Sequence, residues 1–245
     1  MSYKENGYLL LENFFTETNL YAIEKVLYKF HEKWMVDNAS SFEKGVLNSH
    51  SLTSGNYLDM EEKTALFQFI SQQSIQEIID TIYTDTPVFL NTQLFFDPKD
   101  NSQKNYWHRD IQYTGLSVEE QKQAIKHQDV IHFRIPMKAE LGIELIPKTH
   151  REWDLPHEFD ARNSLNNSKP SDDLERGKTI QLNRGDLLVF SANMIHRGIY
   201  GKDRFSFDVI FCDDIPEITR FIDQSNYPSE EILKKLKKNK ELFRS

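Results

Sequence analysis

The 245 residues carry a formal net charge of −8, and 38% of them are hydrophobic, including 17 Phe and 10 Tyr. That length suits one large β-rich domain with helical additions, and the acidic balance argues against general binding to nucleic acid or anionic membranes. Cys212 is the only cysteine, so an intrachain disulfide and a cysteine-based zinc site are excluded.

The N-terminus, Met1 to Gly7, is polar and lacks the apolar run of a signal peptide. No stretch approaches the ~20 apolar residues that span a bilayer, so a cytoplasmic location is expected. Gly7 to Phe15 reads as a short strand ending in a turn, with Thr16 as N-cap of a helix and Glu17 favoured by its dipole. Leu20, Ile23, Leu27, Phe30 and Trp34 then form one apolar stripe, with His31 beside it in a structural role. Residues 38–60 read as polar loop, with Ser54-Gly55-Asn56 as a turn. Leu66, Phe67, Ile70, Ile75, Ile78, Ile79 and Ile82 restore helical spacing over 61–83.

From Thr86 the texture becomes that of strands: Val88–Phe96, Trp107–Asp110, Val130–Met137, Gly142–Pro147, Thr179–Leu182, Asp186–Phe190 and Arg204–Phe211. A charged segment near 117–127 is helical, and the polar residues 155–178 read as a lid or a disordered loop. The tail 229–245 reads as a helix with Ile232, Leu233, Leu236 and Phe243 on one side and its lysines on a solvated face. Residues 1–245 thus form a single expected domain, with helical support over 16–83, a barrel core over 86–212 and a helical tail over 216–245. Many short strands with flanking helices predict a mainly β fold, a double-sheet jelly roll or cupin-like barrel.

His108 and Asp110 are two residues apart and share a face if their segment is a strand. His196, at the end of a later apolar strand, completes two histidines and a carboxylate, a set that leaves coordination positions open and marks non-haem Fe(II) oxygenases. Arg204 follows eight positions after His196. If it points inward, Ser206 and Asp208 do too, while Phe205, Phe207 and Val209 face the outer layer. A bidentate carboxylate ligand, with Ser206 adding a hydroxyl, fits that guanidinium, or Asp208 is its structural partner. Gln93 shares a strand face with Asn91 and Phe95, and is either a pocket residue or a satisfied strand polar group. Arg134 shares a face with His132 and holds an anionic substrate if that face is the lumen. Trp153 either covers the pocket mouth or packs on the sheet edge.

Trp107-His108-Arg109-Asp110, Gly142 to His150, Gly185 to Phe190, Ile195-His196-Arg197-Gly198 and Arg204-Phe205-Ser206 resemble, in order and spacing, the signatures of the phytanoyl-CoA dioxygenase family. The resemblance spans roughly residues 5–212. It implies a double-stranded β-helix enzyme dependent on Fe(II), O2 and 2-oxoglutarate, which is decarboxylated to succinate. Carried over by position, His108, Asp110 and His196 are metal ligands, Arg204 binds the distal carboxylate of 2-oxoglutarate, and Ser206 and Gln93 are further candidates there. Halogenating relatives have a small residue at the acidic ligand position, so Asp110 favours oxygenation. Lys148-Thr149-His150 departs from the more usual Gly-Ser-His of that turn. The expected activity is hydroxylation of a small organic molecule. A protein side-chain hydroxylase of the same class and an inactive cupin-like metal-binding or interaction protein are the alternatives. Oligomeric state is not readable from the sequence.

Overall fold

A computed structural model describes residues 2–244. Met1 and Ser245, the ends of the expected domain and tail, lie outside the described residues. One helical turn, α1 (Tyr3–Asn6), leads into the short strand β1 (Tyr8–Leu11). Thr16 then caps α2 (Glu17–Asp37) as expected: its hydroxyl accepts the Asn19 amide, and the Asn19 side chain accepts the Thr16 amide. Leu20, Ile23, Leu27 and Phe30 are buried along one stripe, with Trp34 packed against the same core.

The segment 38–60 is less plain than its polarity predicts. It holds α3 (Ala39–Glu43) and a short strand, β2 (Asn48–His50), whose amides find partners on a distant strand that no local periodicity reveals. The apolar pattern of 61–83 is divided between α4 (Met60–Ile70) and α5 (Gln73–Ile82). The break falls where the Ser71 hydroxyl donates to the Phe67 carbonyl and Gln72 becomes extended.

Next come β3 (Val88–Phe96), α6 (Val118–Ala124), β4 (Val130–Pro136), β5 (Glu140–Leu145), α7 (Pro156–Asn163), β6 (Lys178–Leu182), β7 (Leu187–Ser191), β8 (His196–Gly198) and β9 (Phe205–Cys212). The short helices α8 (Pro216–Thr219) and α9 (Glu230–Lys235) follow. The strands form two antiparallel sheets, one in the order β1-β7-β4-β9-β3-β2 and one in the order β6-β5-β8. This is the two-sheet jelly roll with flanking helices that the strand pattern predicts.

Alternation along the strands sorts the interior into two layers. Ile131, Phe133 and Ile135 of β4, Leu187 and Val189 of β7, and Phe205, Phe207, Val209 and Phe211 of β9 face the helices and join the stripe of α2 in one core. Leu188 and Phe190 face the smaller sheet and meet Ile143, Leu145, Ile180 and Leu182. The same inward face carries His132 and Arg134 on β4 and Ser206 and Asp208 on β9. Register aligns them: Arg134 stands opposite Asp208 on one side, and Asp208 opposite Gln93 on the other. A polar row buried between two sheets is costly unless each member is paired.

Three expectations need correction. Residues 155–178 are anchored and contain α7. Glu158 is fully buried and accepts both Nε and Nη2 of Arg176 at 2.8 and 2.7 Å, while Arg162 grips Asp154. These charges look solvated in the sequence because their partners lie outside any helical or strand spacing. The tail helix is broken: α9 ends at Lys235, Leu236 is extended, and Phe243 turns back to meet Phe67 edge-on. Trp107–Asp110 is not a strand, and its geometry belongs to the site below. The departing turn shows its own physics: Lys148 sits at φ 73°, a left-handed conformation that costs a side-chain-bearing residue about 1–2 kcal/mol. No described helix is long and apolar enough to cross a membrane.

Candidate metal centre

His108 forms an isolated bridge to His196, and Asp110 opens a 3-10 turn, Asp110–Tyr113. The amide of each histidine donates to the other's carbonyl, at 3.0 and 2.9 Å, and the Asp110 amide donates to the Ala192 carbonyl at 3.0 Å. The flanking residues point away and lock the segment. Trp107 is fully buried and its indole donates to the Asp172 carbonyl. Arg109 is fully buried too, donating to Asp154 and to the carbonyls of Thr149, Glu152 and Asn193. Sequence reasoning missed Arg109 as an anchor, although it alternates with the two ligand candidates.

The imidazoles of His108 and His196 lie 4.2 Å apart, centroid to centroid. Their Nδ1 atoms sit 3.1 and 3.0 Å from the carbonyls of Tyr106 and Met194. A carbonyl only accepts, so Nδ1 carries the proton in each neutral ring and Nε2 presents its lone pair. Both Nε2 atoms face Asp110 Oδ1, at 3.4 and 3.7 Å. Ligand atoms of the three residues all fall within 4.8 Å of one another. Burial, aided by neighbouring His108, pushes the His196 imidazole down to about 3, which keeps its lone pair free of protons.

The other oxygen of Asp110 is taken. His132 Nε2 lies 3.0 Å from Asp110 Oδ2, and His132 Nδ1 lies 2.9 Å from Asp208 Oδ2. Burial alone would lower the His132 pKa, but the bonds to Asp110 and Asp208 outweigh it and raise it to about 9. His132 is therefore a cation at neutral pH and donates from both nitrogens. Asp208 also receives Arg134 in two bonds of 2.9 Å. Removal from water works against its ionisation, yet Arg134 and His132 hold the Asp208 carboxyl down at about 2. Asp110 is likewise pushed up by loss of water, but the His132 hydrogen bond and the surrounding imidazoles leave it well below the usual carboxylate range.

Two cavities meet at this chain of charges, and Gln93, Asp110 and His132 line both. One, of about 350 Å³, is lined by His108, His196, Arg134, Arg204, Tyr106 and Tyr200 among others. The second, of about 420 Å³, has walls of Leu90, Ile111, Leu116, Val130, Ile210 and Ile218. A larger cleft of about 1050 Å³, lined in part by Tyr83 and Asp213, contains none of the three ligand candidates.

Arg204 is 3% exposed and its Nε has no hydrogen-bond partner; Glu140 stands 3.7 Å away, beyond bonding distance. The guanidinium packs against Gly198, where a Cβ would come within 2.7 Å of Nη1, so a larger residue there would have to displace it. Asp208 is the partner of Arg134 rather than of Arg204, because strand register sets Arg134 directly opposite it. Arg134 does lie on the luminal face, with its guanidinium committed to Asp208. The Ser206 hydroxyl donates to Glu140 at 2.6 Å. Gln93 lines both cavities, and its side chain has no hydrogen bond to any described residue. Trp153 lines neither cavity; it packs on the Ile111, Ala124 and Ile125 cluster, with the guanidinium groups of Arg109 and Arg162 each 5.3 Å from its ring.

Solved structures share this fold. HygX from Streptomyces hygroscopicus, with nickel and 2-oxoglutarate bound, superposes with a TM-score of 0.62 at 11% identity, over 87% of this chain and 85% of that one. EctD from S. alaskensis with bound Fe gives 0.56 at 11% identity, over 93% and 76% of the two chains. The non-heme alpha-ketoglutarate-dependent carbocyclase SnoK from nogalamycin biosynthesis gives 0.56 at 13% identity, over 86% and 81%. At these identities the likeness shows the fold. No curated protein matches the chain in sequence. The family model for phytanoyl-CoA dioxygenase (PhyH), however, matches residues 3–199, and the chain belongs to that family.

Proposed function

We propose that this protein is an Fe(II)- and 2-oxoglutarate-dependent oxygenase that hydroxylates a small organic molecule. The observation that carries the reading is the convergence of His108, Asp110 and His196 in one cavity with a buried arginine whose Nε lacks a partner. Two imidazole nitrogens and one carboxylate oxygen, with no thiolate, form a donor set suited to Fe(II) and leave positions open for other ligands. His108 Nε2, His196 Nε2 and Asp110 Oδ1 would hold the metal. Arg204 would take the distal carboxylate of 2-oxoglutarate in the room left by Gly198, and the free amide of Gln93 is available to the same cavity. When bound, the iron and its cosubstrate supply the oxidising equivalents from O2, with 2-oxoglutarate leaving as succinate and carbon dioxide.

The rest is the work of the chain. His132 occupies Asp110 Oδ2, so Asp110 is left to bind through Oδ1 alone. Asp208 and Arg134 in turn fix the His132 ring. Tyr106 and Met194 carbonyls hold both ligand imidazoles in the tautomer that presents Nε2. The relatives in structure include a carbocyclase, so hydroxylation is the specific claim and oxygen activation the broader one.

The test is an anaerobic titration with Fe(II), with and without 2-oxoglutarate, followed by the weak visible charge-transfer band of the chelate. Wild type is expected to show the band, His196→Ala to lose it and Arg204→Ala to weaken it. A folded wild type with no band would sink the reading.

A further inference from the structure

Arg204 accounts for one of the two cavities that meet at Asp110, and the other has a chemistry of its own. Most of its exposed wall is apolar, with His50, Ser51, Asn91, Thr114, Gln128 and Asn193 interspersed, and no lysine or arginine lines it. Asn226 is one of its lining residues, 2% exposed, and the side-chain oxygen has no hydrogen-bond partner among the described residues. Its backbone is tied on both sides, the amide to the Asp223 carbonyl at 2.9 Å and the carbonyl to the Thr53 hydroxyl at 2.8 Å. The residue's backbone is therefore held in place, and its side chain carries an acceptor that no described residue uses. Glu217 and Asp223 stand exposed among the lining residues. Both His132 nitrogens are already engaged, one by Asp110 and one by Asp208.

We infer that this cavity takes the prime substrate, and that the substrate is a largely apolar molecule bearing a hydrogen-bond donor and no negative charge. The inference rests on the oxygenase reading for what happens to the bound molecule, but not for its binding. The apolar walls select a hydrocarbon body. Asn226 selects a donor, because a buried acceptor left unpaired is unfavourable and a ligand N–H or O–H relieves it. Glu217 and Asp223 repel anions, and a phosphate or carboxylate would find no guanidinium or ammonium here to meet it.

Three probes with one apolar body separate these demands: phenylbutylamine, phenylbutanol and phenylbutanoate. Each is titrated into the metal-free chain by ligand-observed NMR, with saturating 2-oxoglutarate present to fill the Arg204 site. The amine and the alcohol are expected to bind, the amine about fivefold tighter from its attraction to the rim carboxylates. The carboxylate is expected to bind at least tenfold more weakly than the alcohol. Asn226→Leu should weaken amine and alcohol together. Glu217→Lys, a surface change that leaves the core intact, should lower amine binding and raise carboxylate binding. Carboxylate binding as tight as that of the amine, no response to Glu217→Lys, or no binding by any probe would each overturn the inference. The two readings fail separately: amine binding without an iron–2-oxoglutarate band removes the oxygenase alone. A normal band with a preference for the carboxylate removes the substrate class alone.

Discussion

The two cavities share Asp110 and His132 as a wall, yet they are built in different ways. The polar one is walled by residues set by paired strands, Arg134 on β4 and His196 on β8, and by Arg204 immediately before β9. Its charges are held by neighbours across the sheet. The apolar one is closed by Glu217, Ile218, Phe221, Asp223 and Asn226, which lie on α8 and the turns after it, beyond the matched residues 3–199. Phe221 there is 50% exposed. On the proposed reading, chemistry that must be held to a fraction of an ångström would sit on the rigid scaffold, and recognition on segments that can vary without disturbing it.

The largest expected effect removes a ligand candidate from the polar cavity. His196→Ala keeps the backbone bonds to His108 but deletes one donor, so iron binding and turnover should fall to background. A retained band would place the metal elsewhere. Asp208→Ala attacks the wall from behind. It leaves the Arg134 guanidinium buried without its carboxylate, which should cost about 3–5 kcal/mol in a urea unfolding experiment. A loss under about 1 kcal/mol would mean that water or Glu140 replaces it. The same residue sets an acid limit. Its pKa is depressed from 3.8 to about 2, so its contribution is complete above 3.8 and is lost as pH falls through 2. Stability should therefore drop across that window in wild type, and Asp208→Asn should flatten the drop.

Arg204→Ala should separate the cavities. Losing two charge-assisted bonds of about 1.5 kcal/mol each should raise the apparent KM for 2-oxoglutarate about a hundredfold. Binding of phenylbutylamine to the other cavity should not change; a parallel loss there would show that the two are one site. The smallest effect is expected at Trp153. Because it packs behind the 3-10 turn rather than in either cavity, Trp153→Leu should lower the melting temperature while leaving both affinities in place. A rise in either Kd would return it to the pocket.

The parts of this molecule that were legible in advance share one property: their meaning is carried by residue type and local period. Alternation in Arg204–Phe211 told which side chains face inward, and the helical stripe of α2 told where the sheet is covered. The ligand candidates were legible because few residue types bind Fe(II). Even so, His108 and Asp110 converge through a bridge and a 3-10 turn, not through the strand that their spacing implied. What stayed hidden was pairing at a distance. Asp208 belongs to Arg134, 74 positions away, and Arg109 belongs to Asp154, 45 away. Glu158 and Arg176 turned an apparent lid into a fixed element.

From the sequence alone came the strand and helix periods, the family and the three ligand candidates, since these depend only on neighbours along the chain and on the chemistry of each side chain. The tertiary structure alone decided which carboxylate each buried arginine takes, which oxygen of Asp110 is free, and which walls a substrate would meet. Those depend on strand register and on how remote segments pack. A carboxylate or a guanidinium must find its partner through space, and distance along the chain does not encode that distance.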